Sequence, residues 1–177
     1  MKSVLISINP KWCELIASGK KTVEVRKTKP KLEMPFKVYI YCTQNTPYNP
    51  VIPMRYEKEG GNIYTGGKRY AEFLTSKVIG EFVCNRLTYI EAGYDTNGNK
   101  HLYNTAFIEH RMCIPDNDLH EYLYKDRDHC GGWAWHISDL VIYDKPKELS
   151  EFSKHGFDKF VPWKRPPQSW GYCEVQE

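Results

Sequence analysis

Short apolar runs with strand-like spacing dominate this chain, and one clear helical stripe stands near its start. Val4, Leu5, Ile6 and Ile8 form a compact apolar run that ends at Asn9-Pro10 and reads as a first strand. Asn9 suits a helix N-cap, and Pro10 suits the first helical position. Trp12, Leu15 and Ile16 then recur at i, i+3 and i+4, and Gly19 supplies the stop. Immediately afterwards the period changes to two. Over 22–26, Val23 and Val25 share one face while Thr22, Glu24 and Arg26 share the other. The pattern predicts a helix–glycine–strand corner that carries a row of polar groups.

Residues 37–43 read as a second strong strand. Between about 47 and 71 the chain changes character: Pro47, Pro50 and Pro53 are followed by Gly60-Gly61 and Gly66-Gly67, which predicts a long loop or an excursion containing a hairpin. Those glycines make no phosphate loop, because no G-x-x-x-x-G-K-[ST] pattern is present. A further strand is expected over 77–90, with Gly80 as a bulge or a point of close approach. A turn is expected over 95–99. Leu119, Tyr122 and Leu123 have helical spacing within 118–126. A late strand covers 133–143, and 146–152 suits a short helical turn. The stretch 163–172 is rich in proline and aromatic residues, which predicts an irregular tail packed across the domain.

Composition narrows the class. The 177 residues suit a single domain over 1–177, with the excursion at about 47–71 as an insertion and about 161–177 as a tail. The 41% hydrophobic and 14% aromatic content fit a packed interior rather than a disordered chain. No apolar stretch approaches the roughly 20 residues of a membrane span, and the N-terminal run is too short for a signal-peptide core. A cytoplasmic protein without a membrane partner is therefore expected. The six cysteines have no paired spacing, so free thiols are expected rather than a disulfide framework. His129, Cys130 and Cys113 match no usual zinc spacing, and neither a metal nor a cofactor is expected.

The net charge of +3 is modest, but its distribution is uneven. From residue 1 to 31 there are eight cations, Lys2, Lys11, Lys20, Lys21, Arg26, Lys27, Lys29 and Lys31, against Glu14 and Glu24, a surplus of six. Such asymmetry focuses a positive field on part of a surface. Within it, Lys21, Glu24 and Arg26 have the chemistry to line one concavity. The lysine is a point charge, the arginine a planar fork for phosphate or a base edge, and the carboxylate an acceptor or a base. The same three residues also make an ordinary salt-bridged strand surface. Tyr39, Tyr41, Tyr48, Trp133, Trp135, Trp163 and Trp170 are available for base stacking, although most aromatic residues in a small β-domain belong to its core. His136, on the face opposite Trp135, reads as a hydrogen-bonded structural histidine.

The spacing G-x-K-x-x-E-x-R, carried by Gly19, Lys21, Glu24 and Arg26 after a short helix, resembles the ASCH family. The stretches Ile6-Ser7-Ile8-Asn9-Pro10, Val78-Ile79-Gly80-Glu81-Phe82, Trp135-His136-Ile137-Ser138-Asp139-Leu140 and Pro146-Lys147-Glu148-Leu149 agree with it, the last resembling longer bacterial and phage-type members. The resemblance implies an α+β, PUA-like fold: a small β-barrel of about five to six mostly antiparallel strands with flanking short helices. It also implies RNA or other nucleic-acid binding, with Gly19, Lys20, Lys21, Thr22, Glu24, Arg26 and Lys27 as the binding set. Small bacterial relatives include an amidohydrolase of N4-acetylcytidine that uses a lysine and a threonine of this motif and a distant glutamate. Lys21 matches that lysine, but Glu24 stands at the threonine's position. Thr22 does not match it, and Glu81 and Glu109 are candidates for the glutamate. Other relatives are described as ribonucleases. The alternative to binding is thus a hydrolase of a modified nucleoside or a ribonuclease, with Lys21 and Glu24 as its catalytic residues.

Overall fold

The computed structural model describes residues 2–44, 52–58, 62–69, 74–126 and 129–175. Strand β1 (Ser3–Ile8) is buried along its whole length, which explains why its apolar residues run on without strict alternation. Helix α1 (Pro10–Ala17) follows. The Asn9 side chain accepts from the Lys11 backbone N–H at 3.1 Å, and Gly19 takes a φ of +75°, as the capping and stop residues predict. Next come β2 (Val23–Arg26) and β3 (Phe36–Cys42). Strands β4 (Ile52–Lys58) and β5 (Asn62–Arg69) pair as the hairpin expected in the excursion. The remainder of 47–71 lies outside the described residues.

The second half is built on two long strands, β6 (Lys77–Tyr94) and, further on, β9 (His129–Lys147). Between them lie β7 (Lys100–Tyr103), a short helix α2 (Glu109–Met112), helix α3 (Asp116–Leu123) and β8 (Tyr124–Asp126). A 3₁₀ turn at Leu149–Glu151 falls where 146–152 was expected to turn. The chain finishes with β10 (Phe152–Lys154) and β11 (Trp170–Val175).

These strands form a nine-stranded mixed sheet in the order β10-β11-β1-β3-β6-β9-β2, with β7 added to β6 and β8 to β9. The β1–β3 pair is parallel, with α1 and β2 lying between the two strands in sequence. The sheet ladder does not close into a barrel: β10 and β2 are its ends. A side chain spans the opening instead, for Arg26 Nη2 on β2 donates to the Ser7 carbonyl on β1 at 2.6 Å. The expectation of a small barrel of five to six strands is corrected accordingly, and what holds is a β-rich fold with short flanking helices. Open ladder ends, the parallel pair and the added strands β7, β8, β10 and β11 make the difference.

The core has three parts. Val4, Ile6 and Ile8 of β1, Ile16 of α1, Val38 and Ile40 of β3, Phe82 of β6 and Trp135 of β9 pack together on one face. Leu5, Tyr39, Tyr41 and Val78 turn to the other face, where Phe152 and Cys173 cover them. At the far end, Val23 and Val25 of β2 pack with Ile108, Met112, Leu119 and Leu123 beneath α2 and α3. Gly80 sits at a register shift between β6 and β9, and a Cβ there would stand 2.3 Å from the Val141 carbonyl oxygen. The predicted close-approach role is what the structure shows. The tail, by contrast, is more regular than expected. Beyond Pro167, Trp170 and Tyr172 face one side and Cys173 and Val175 the other, so the segment pairs antiparallel with β1.

Candidate functional site

Strand β2 is buried on both faces. Its register with β9 sets Glu24 beside Trp135 and Arg26 beside Trp133, on the side of the first core cluster, while Val23 and Val25 face α2 and α3. Glu24 Oε1 lies 3.0 Å from Arg26 Nη2, and Glu24 Oε2 lies 3.5 Å from Lys21 Nζ. The Lys21 side chain is fully enclosed, and its ammonium donates to the Met112 carbonyl at 2.5 Å and lies 5.1 Å from the Trp12 ring centre. Burial pushes the Lys21 pKa down, against the Glu24 charge that holds it up. The three motif residues therefore do meet, but as an interior ion network. Glu24 Oε2, Arg26 Nε and Trp135 Nε1 are buried there without a hydrogen-bond partner among the described atoms.

The network positions its surroundings. Lys21 anchors the carbonyl end of α2; the Thr22 N–H donates to the Arg111 carbonyl at 3.1 Å, and Cys113 Sγ lies 3.4 Å from the Lys20 carbonyl. Three contacts thus tie α2 to the segment 20–22. At this junction an open cleft of about 590 Å³ is lined by Gly19, Lys20, Thr22, Asn85, His110, Arg111, His136 and Ile137. It presents two cations, Lys20 and Arg111, and amide, hydroxyl and imidazole groups. His136 is held at 3.0 Å from Thr88 Oγ1, and burial, with the nearby charges of Arg86 and Arg111, pushes its pKa down, so it stays neutral at pH 7.

The expected binding set is divided by this arrangement. Gly19, Lys20 and Thr22 line the cleft, whereas Lys21 and Glu24 face the interior and Arg26 bridges to β1. Thr22 lies just before β2, its N–H donating to the Arg111 carbonyl and its own carbonyl accepting from the Ile137 N–H. Lys27 is exposed near the opposite end of β2, with its ammonium 5.2 Å from the Tyr122 ring centre. Of the other N-terminal cations, Lys2 lies over the Tyr172 ring, Lys11 over Trp12 and Lys29 over Trp133. Asn85, His110 and Arg111 escaped the sequence reading, since they join the cleft only through strand pairing and α2 packing.

Neither of the two glutamates expected as the distant partner is among the cleft's lining residues. Glu81 is bound by Lys37 at 2.7 Å and by the Tyr143 hydroxyl. Burial would raise its carboxyl pKa, but those two hydrogen bonds and the charges of Lys37 and Lys147 outweigh it and lower it. Glu109 is exposed in the first turn of α2, its pKa lowered chiefly by a hydrogen bond from its own backbone N–H. Among the aromatic candidates, Trp135 is fully buried, Tyr39 and Tyr41 are core, and Trp133 carries Lys29 Nζ 3.8 Å from its ring centre. Trp170 packs on Trp135 and donates to Thr28 Oγ1 at 3.0 Å, so the tail fastens the open side of the sheet. Tyr48 and the side chain of His129 lie outside the described residues. Among the described residues no group of three metal-ligating side chains gathers, and no helix is long and apolar enough to cross a membrane.

A mixed sheet bridged by a buried Lys–Glu–Arg network, with a small cationic cleft at its corner, defines the class of fold. By sequence, no family model and no curated protein matches the chain. By structure, it is similar to ASCH from Zymomonas mobilis, with 18% identity and a TM-score of 0.58 over 96% of this chain and 86% of that one. It is equally similar to a Tyr-to-Phe variant of that protein, with 19% identity and a TM-score of 0.58 over 97% and 90%. A Ser-to-Ala variant gives 20% and 0.56 over 96% and 87%. The chain has the ASCH fold along nearly its whole length.

Proposed function

We propose that residues 1–177 are a single ASCH/PUA-like domain that binds RNA through the cleft between the 19–22 corner, β6, β9 and α2. The observation that carries this reading is the presence of both Lys20 and Arg111 in the lining of an open, polar cleft whose lining residues include no acid. The two cations suit phosphate, and the Asn85, Thr22 and His110 side chains supply donors and acceptors for bases or ribose. Lys21, Glu24 and Arg26 act behind this surface: they hold α2 and β1 in place, and so set the position of Arg111 and Thr22. Lys27 contributes field rather than contact.

A second reading, hydrolysis of a modified nucleoside or of RNA, is favoured by the lowered pKa of Lys21 beside Glu24, the direction that suits an amine for proton transfer. The burial of both side chains ranks it below binding. Titration of the wild type, Arg111→Ala and Lys20→Ala with single-stranded RNA, structured RNA and duplex DNA tests the first reading. Weaker RNA binding by both variants with unchanged melting temperature is the expected result. Undiminished binding by both removes the cleft from the account. Turnover of an acylated cytidine or of RNA that Glu24→Gln abolishes, in a variant that remains folded, would establish the second reading.

A further inference from the structure

A second cavity, of about 250 Å³, lies beside β10 and β11, at the other end of the strand order from β2. It shares no lining residue with the cationic cleft. Much of its lining comes from the segment 155–160, whose two ends are held together by hydrogen bonds. The Lys154 N–H donates to the Val161 carbonyl and the Val161 N–H to Ser153 Oγ, each at 2.8 Å. Just outside them, the Trp163 N–H donates to the Phe152 carbonyl at 2.9 Å. Gly156 takes a φ of +95° within the turn, a left-handed position that suits glycine.

Two aromatic residues of this segment, Phe157 and Phe160, line the cavity and are 57% and 37% exposed. Single exposed apolar residues are ordinary, but two of them lining one small cavity give it an aromatic wall that a ligand can cover. Its charged lining residues are Asp158, Glu174 and Lys159, a surplus of one negative charge in a protein whose net charge is +3. Glu174 stands opposite Ser153 in the β10–β11 register, and its Oε1 lies 2.5 Å from His155 Nδ1, which orients the carboxylate. Lys159 is exposed, and its long stem lets the ammonium reach water. Aromatic rings beside carboxylates complement a cation that carries apolar groups. We infer that this cavity binds a small alkylated ammonium ion, its methyl groups against Phe157 and Phe160 and its charge toward Asp158 and Glu174. The site is separate from the RNA-binding reading and stands or falls without it.

The test titrates the isotope-labelled full chain with tetramethylammonium chloride and follows its backbone amide resonances. Wild type should show saturable shifts centred on Phe157, Phe160 and Val175. Phe157→Ala and Phe160→Ala should each bind roughly fivefold more weakly, with melting temperatures near that of wild type because both rings are exposed. Glu174→Gln should also weaken binding, while Lys159→Ala should tighten it by removing a like charge. Three results overturn the inference. The first is no saturable shift in wild type, or the same shifts with potassium chloride at matched ionic strength. The second is a Phe157→Ala/Phe160→Ala double variant that binds like wild type. The third is neopentyl alcohol, of similar shape but uncharged, binding as tightly as the ammonium ion.

Discussion

Replacing Lys21 with methionine separates the roles of support and contact. Methionine keeps an apolar stem one atom shorter and removes the ammonium. The Met112 carbonyl then loses its 2.5 Å partner, while Glu24 keeps Arg26 at 3.0 Å and is not stranded. A hydrogen bond from a charged donor contributes about 1.5–3 kcal/mol, and a buried acceptor left without a partner costs about as much. Relief of the buried ammonium's desolvation offsets part of that loss. We expect a net destabilisation of about 2–3 kcal/mol for Lys21→Met, which lowers Tm by about 4–12 °C in a chain of this size. Urea denaturation and thermal melting measure it, and RNA titration well below the lowered Tm measures the consequence for the cleft. Affinity should fall together with stability, because α2 loses its anchor. Stability within about 0.5 kcal/mol of wild type, accompanied by lost RNA affinity, would refute the reasoning, since it would make Lys21 a ligand contact rather than a support.

Three further outcomes follow from the same geometry. Glu24→Gln removes the carboxylate that, among the described residues, pairs with both Lys21 and Arg26, so it should be more disruptive than Lys21→Met, costing about 3–5 kcal/mol by urea denaturation. Gly80→Ala drives a Cβ into the Val141 carbonyl and should cost about 3 kcal/mol, read as a lower midpoint without a changed denaturant slope. The third concerns pH. The folded-state pKa of His136 lies below its ordinary 6.5, so the unfolded chain binds more protons between the two values. Its contribution to stability is complete above pH 6.5 and is lost as pH falls through the folded value. His136→Gln should therefore flatten the decline in stability below pH 6.5, and an unchanged decline would remove His136 from that role.

Much of the fold was legible because its signals are local. The Asn9-Pro10 cap, the Gly19 stop and the Gly80 close approach each depend on one residue's backbone requirement. The two longest strands were recognisable from their apolar centres, yet they run further than expected: β6 reaches Tyr94 and β9 reaches Lys147. Their ends are polar, and cross-strand pairing extends them. Strand β11 could have been found from the alternation in Trp170–Val175, had the prolines before it not dominated the reading. Helix α2 has four residues and no side-chain cap, so it left little trace in the sequence. The site was legible only in part for the same reason. Period two correctly set Glu24 apart from Val23 and Val25, but it could not reveal that the Glu24 face looks inward. Which way a row of charges faces depends on how the sheet curls, and Arg26 reaching Ser7 is a contact between residues brought together only by folding.

The central claim is that Lys20 and Arg111, rather than the buried motif residues, meet the RNA backbone. Its most direct test is the salt dependence of single-stranded RNA binding by the wild type and by the Lys20→Ala/Arg111→Ala double variant. Each phosphate neutralised on a single strand contributes about 0.7 to the slope of log affinity against log salt. The account predicts that the double variant binds more weakly and loses about 1.4 from that slope while its melting temperature stays that of wild type. An unchanged slope and affinity would contradict it and place any RNA contact elsewhere on the fold.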